Sequence, residues 1–152
     1  MREMNYFLTE MREEHIGAIA GLEKICFSEP WSENSLREEI ENPDAFFIAA
    51  VTDDGSVAGY AGMHISVDGS YVDNIAVFPE YRKSGVGEAL TRALIWKALS
   101  AGEFITLEVR ESNLPAVRLY EKLGFEPVGK RRNFYSSPRE DAVIYTLNKC
   151  RG

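Results

Sequence analysis

Asn74-Ile75-Ala76-Val77-Phe78-Pro79-Glu80-Tyr81-Arg82-Lys83-Ser84-Gly85-Val86-Gly87 decides how this chain folds. Its first half belongs to an extended segment, Ser70 to Phe78. Its second half is a glycine-rich turn leading into Gly85 to Ser100, where Val86, Ala89, Leu90, Ala93 and Leu94 keep helical spacing and Ala101-Gly102 closes the run. A turn that opens a helix leaves backbone N–H groups aimed at one point, with the positive end of the helix dipole behind them. Such a turn suits phosphate. Gly85 and Gly87 allow close approach, and Arg82 and Lys83 supply cations. Taken alone, the turn fits an ordinary loop before a glycine-softened helix equally well.

Upstream, Ala45 to Thr52, Val57 to Val67 and Ser70 to Phe78 are separated by Asp53-Asp54-Gly55-Ser56 and Asp68-Gly69, which predicts an antiparallel meander. Before it, Asn5 to Met11 suits a strand, and Ile16, Ile19, Ala20, Leu22 and Ile25 mark a helix of about four turns. The loop Phe27 to Trp31 follows. Ser32 then caps a short helix ending near Asn42-Pro43. Downstream, the pattern gives a strand over Phe104 to Arg110 and a helix over Ser112 to Leu123, with Pro115 in its first turn and Gly124 as its stop. A strand from Phe125 onward and a last one over Ala142 to Leu147 complete the chain. The order β-α-α-β-β-β-α-β-α-β-β predicts an α+β fold, a central mixed and largely antiparallel sheet flanked by helices in three layers. At 152 residues, one domain spanning 1–152 is expected.

The net charge is −7, and all the excess lies early: residues 1 to 50 hold 11 acids and 4 bases, the remainder 13 of each. That field disfavours direct nucleic-acid binding and favours a basic peptide or amine, although a solvated acidic surface accounts for the charge as well. No stretch approaches the roughly 20 apolar residues of a membrane span, and Cys26 and Cys150 lack metal or redox spacing. A soluble, cytoplasmic protein with no metal is the expectation.

Two other phosphate motifs fit less well. Gly85-Val86-Gly87 begins like a dinucleotide fingerprint, with Glu108 about 20 residues on, yet Leu90 occupies the place of the third glycine. Gly124 to Lys130 imitates a P-loop, but Arg131 stands where Ser or Thr belongs and no helix follows.

On the strand Phe104 to Arg110, Thr106, Glu108 and Arg110 share one face and Ile105, Leu107 and Val109 the other. Glu108 reads either as a functional acid at a strand end or as a surface carboxylate pairing with Arg110. Tyr120 lies on the apolar face of its helix with Ala116, Leu119 and Leu123, as a packed tyrosine would. Asn113 suits a helix cap. His15 and His64 have no acidic or cysteine partner at ligand spacing and are assigned neither to a metal nor to catalysis.

Taken together, Asn74 to Pro79, Tyr81 to Gly87, Leu107 to Arg110, Ser112-Asn113 and Leu119 to Phe125 resemble the GCN5-related N-acetyltransferase (GNAT) family, and the turn fits its R/Q-x-x-G-x-G/A signature. Pro30-Trp31-Ser32, Glu108 to Arg110, Arg131 to Tyr135 and Arg139 to Ala142 are similar to the ribosomal-protein-alanine branch of that family. The resemblance implies acetyl-CoA as co-substrate. It also implies an acceptor that is a protein N-terminal α-amine, in this branch that of a basic, alanine-starting small-subunit ribosomal protein. By it, the reaction is direct attack in a ternary complex with Glu108 as general base and Tyr120 as general acid. Ile75, Ala76 and Val77 would pair with the pantetheine arm, Lys83, Ser84, Gly85, Val86, Gly87 and Glu88 would cradle the pyrophosphate, and Asn113 would reach the cofactor. Glu88 departs from the basic residue usual after the glycines. Phe27, Trp31 and Tyr135 are candidate walls of the peptide site. A small amine or polyamine acceptor, or an acyl-CoA-binding module without turnover, would use the same fold.

Overall fold

The computed structural model describes residues 5–150; residues 1–4 and 151–152, which the one-domain expectation includes, lie outside the described residues. The elements are β1 (Tyr6–Glu10), α1 (Glu13–Cys26), α2 (Glu33–Ile40), β2 (Ala45–Thr52), β3 (Val57–Ile65), β4 (Ser70–Val77), α3 (Val86–Ala101), β5 (Phe104–Arg110), α4 (Leu114–Lys122), β6 (Glu126–Ser136) and β7 (Arg139–Asn148), with a 3-10 turn at Pro79–Tyr81. The order is the expected one. The strands run β1-β2-β3-β4-β5-β7-β6. Pairing is antiparallel at β1–β2, β2–β3, β5–β7 and β6–β7, and parallel at β4–β5, where Ser70 meets Ile105 and Tyr71 meets Thr106. The mixed sheet and flanking helices are therefore as the sequence predicts. Among the described residues no helix is long and apolar enough to cross a membrane.

The described residues divide into two compact units, 5–64 with 73–94, and 65–72 with 95–150. In the first, Ile16, Ile19, Ala20 and Leu22 form the buried stripe of α1 and join Phe47, Ala49, Val51, Val57, Tyr60 and Ala76 in one core cluster. Burying each large aliphatic side chain there contributes about 1.5–3 kcal/mol. The α1 N-terminus is closed by His15, whose Nδ1 accepts the Arg12 N–H at 2.9 Å. Burial lowers the His15 pKa, against the opposing charge of Glu14, and so favours the neutral ring this bond requires. Ser32 caps α2 as expected, its Oγ accepting the Ser35 N–H at 3.1 Å.

In the second unit β5 alternates as predicted, with Ile105, Leu107 and Val109 buried. Helix α4 begins at Leu114 rather than Ser112, because Asn113 is the cap: its Oδ1 accepts the Ala116 N–H at 3.3 Å. The Ser112 N–H instead meets Glu140 Oε2 at 2.6 Å. Strand β3 stops at Ile65, two residues short of the expected Val67, where Ser66 turns the chain by donating its N–H to the Gly69 carbonyl at 2.9 Å.

Candidate active site

In the first unit the glycine turn precedes α3 directly. Lys83 and Gly85 adopt left-handed backbone, φ 63 and 88, and a side chain at Gly85 would meet open space but strained backbone. The Ser84 hydroxyl donates to the Tyr81 carbonyl, and the first helical hydrogen bond runs from the Ala89 N–H to the Gly85 carbonyl at 3.0 Å. N–H groups before Ala89 belong to the unpaired first turn of a helix. Lys83 is exposed beside them. A phosphate fits this arrangement.

Arg82 departs from its expected place as a phosphate cation. Its Nε donates to the Val77 carbonyl at 3.0 Å and its Nη2 approaches Cys26 Sγ at 3.5 Å, so it braces the turn against β4 and the end of α1. Burial raises the Cys26 thiol pKa, and Arg82 opposes that shift. Glu88, the residue out of keeping with the family signature, pairs with Arg92 one turn on at 3.0 Å, which offsets its charge. Ile75 and Ala76 precede Val77 on β4, beyond the two residues that pair with β5.

In the second unit Glu108 faces away from the core and is bonded not to Arg110 but to Arg131, whose Nε lies 2.9 Å from Glu108 Oε1. Arg110 is occupied elsewhere. Its Nη1 reaches the Pro138 carbonyl at 2.9 Å and Glu140 at 3.3 Å, and its guanidinium lies 4.3 Å from the centre of the Tyr135 ring. Tyr120 packs at 5.6 Å from the Phe125 ring and 6.5 Å from the Tyr145 ring. Tyr145, in turn, is the β7 partner of Leu107. Burial, then the neighbouring Tyr135, pushes the Tyr120 pKa up to about 12; burial, then the Glu108 charge, does the same to Tyr135. Both phenols keep their protons at neutral pH.

Phe27 and Trp31 are half-buried against the first unit's core, and Trp31 lies 5.6 Å from the Phe47 ring. Their loop is anchored by Glu23, whose Oε1 accepts the Trp31 N–H at 2.9 Å. Local spacing gave no signal for this fully buried carboxylate. Nor did it reveal that His64 meets Asp73 at 2.6 Å and Glu39 at 2.7 Å, acids 9 and 25 residues away.

Residues 16–125 match the Acetyltransferase (GNAT) family. The chain belongs to that family. The acetyltransferase is 41% identical over 144 residues to a Bacillus subtilis protein provisionally named as a ribosomal protein bS18-alanine N-acetyltransferase, covering 91% of this chain and 94% of that protein. It is 33% identical over 143 residues to the ribosomal protein bS18-alanine N-acetyltransferase of Escherichia coli, covering 92% and 95%. The crystal structure of the ribosomal-protein-S18-alanine N-acetyltransferase from Escherichia coli superposes on it with a TM-score of 0.85, 31% identity and 97% of each chain covered. The resemblance read from the turn, the β5 strand and α4 is thus borne out at the level of family, fold and N-acetyltransferase activity.

Proposed function

We propose that the acetyltransferase moves the acetyl group of acetyl-CoA to the N-terminal α-amine of a protein, with the alanine terminus of ribosomal protein bS18 as acceptor, in the cytoplasm. The observation that carries this reading is identity of 41% and 33% to bS18-alanine N-acetyltransferases over nine-tenths of each chain. The family match runs through residues of both units, which supports one domain over 1–152.

Acetyl-CoA supplies an activated thioester. The backbone of Ile75, Ala76 and Val77 would hold its pantetheine arm, Lys83 to Glu88 its pyrophosphate, and Asn113 the cofactor at the head of α4. An α-amine has a pKa of about 8 and needs only modest help to lose its proton. Glu108 accepts that proton, directly or through one water. The amine nitrogen then bonds to the carbonyl carbon, the C–S bond breaks, and Tyr120, protonated below its pKa of about 12, gives its proton to the departing thiolate. Phe27, Trp31 and Tyr135 form walls for the peptide.

Intact-mass analysis of peptides and of small amines and polyamines incubated with acetyl-CoA tests the acceptor. Alanine-starting bS18 peptides gain one acetyl group and small amines do not. Acetyl-CoA binding with no CoA released on any amine would instead mark a non-catalytic module. Glu108→Gln tests the base: kcat falls by about 100-fold or more, and an unchanged kcat and pH profile refutes the role.

A further inference from the structure

Glu108 is held by a cation from two strands away. In register, Arg131 lies opposite Ala142 on β7, and Ala142 lies opposite Arg110 on β5, so Glu108, Arg110 and Arg131 share one face of the β5-β7-β6 ribbon. After Arg131 the β6 register breaks and resumes at Tyr135. Within the break Asn133 takes φ 54, its N–H bonded to Asp141 Oδ1 at 2.8 Å. This bulge brings Tyr135 under Arg110, and Glu140 and the Ser137 and Pro138 carbonyls hold Arg110 there. Glu108 is thereby left to Arg131. The Arg131 side chain is 56% exposed and that of Glu108 30%, so the pair contributes little to stability.

We propose that Arg131 is a positioning residue for acetyl transfer: its guanidinium fixes the rotamer of Glu108 through Oε1 and leaves the second carboxylate oxygen to the incoming amine or its bridging water. The inference rests on Glu108 being the base. An unpinned glutamate at a strand end samples several rotamers, and each turnover waits for the productive one. Arginine suits the task because its planar fork holds a direction, whereas a lysine ammonium is a rotating point charge.

Steady-state kinetics of Arg131→Met and Arg131→Lys, each made in the unaltered enzyme and in the Glu108→Gln background, test the proposal. Arg131→Met lowers kcat about tenfold and leaves the KM for acetyl-CoA unchanged. Arg131→Lys recovers part of the loss. In the Glu108→Gln background Arg131→Met has no further effect, because there is no carboxylate to orient. An unchanged kcat overturns the proposal, as does an equal loss in both backgrounds, which marks a structural role. A lower peptide KM at unchanged kcat also overturns it, since that is the behaviour of a cation competing with the substrate. Full activity of Glu108→Gln alone overturns the base assignment itself, a result separable from the other three.

Discussion

The Tyr60 hydroxyl donates to Glu23 Oε2 across 2.5 Å, and both residues are fully buried. Asn74 Nδ2 and the Trp31 N–H complete the set of donors around that carboxylate, tying α1, β3, β4 and the loop after α1 together. Burial raises the Glu23 pKa, and these three donors oppose the rise. Tyr60→Phe deletes the shorter of the two bonds to the buried Glu23 Oε2 and leaves that oxygen to Asn74. The expected loss is about 1–3 kcal/mol in urea unfolding; a loss too small to measure would mean that Asn74 and Trp31 satisfy the carboxylate unaided.

The His64 cluster predicts a pH-dependent contribution to stability. Burial pulls the imidazole pKa down, but the charges and hydrogen bonds of Asp73 and Glu39 outweigh it, and the net shift is upward. A group whose folded pKa exceeds its unfolded value stabilises fully below the unfolded pKa of about 6.5 and loses that contribution as pH rises through the folded value. His64→Gln is therefore most destabilising at pH 5 to 6, and the difference from the unaltered protein narrows toward pH 9. Chemical denaturation across that range checks it, and a constant difference would contradict the charge pairing.

Two glycine-to-alanine exchanges have opposite signs. At Gly59 an added Cβ would lie 2.7 Å from the Ala76 carbonyl and 3.2 Å from Val77 Cα, backbone that cannot yield without moving β4. At Gly21 of α1 it meets nothing within 4 Å. Gly21→Ala raises stability by about 0.5–1 kcal/mol, whereas Gly59→Ala lowers it and weakens acetyl-CoA binding, measured by calorimetry, if Ile75 to Val77 hold the pantetheine arm.

Tyr120→Phe keeps the ring contacts with Phe125 and Tyr145 but removes the acidic proton. The expected outcome is a folded protein with kcat reduced about 100-fold and an unaltered melting temperature. Because the Tyr120 pKa lies at about 12, its ionisation adds no fall in rate between pH 7 and 10. Full activity in the folded variant excludes it as the acid.

Much of this was legible in the sequence because it is local. The Ser32 cap, the Asp68-Gly69 turn and the alternation of β5 each depend on residues within a few positions of one another, as does the glycine-rich turn that opens α3. Side-chain pairing across strands was not legible. Arg110 is two positions from Glu108 and was the nearer candidate partner, yet strand pairing through β7 brings Arg131 there from 23 residues away. Arg82 looked like a phosphate cation by its place in the signature, and the fold turned it toward Val77 and Cys26 instead. Glu23 and His64 gave no local signal because their partners come from other elements.

Strand β6 ends the strand order and is exposed along nearly all of its length. A free, extended border of this kind invites a strand from another molecule to add on, the first step of edge-to-edge aggregation. Lys130, Arg131 and Arg132 put three positive charges in a row on that border, and the kink at Asn133 interrupts its straight run. Charge and kink act as gatekeepers. The cations that engage Glu111 and Glu108 thus sit where charge blunts a sheet edge, and variants that neutralise them are expected to lose solubility along with chemistry.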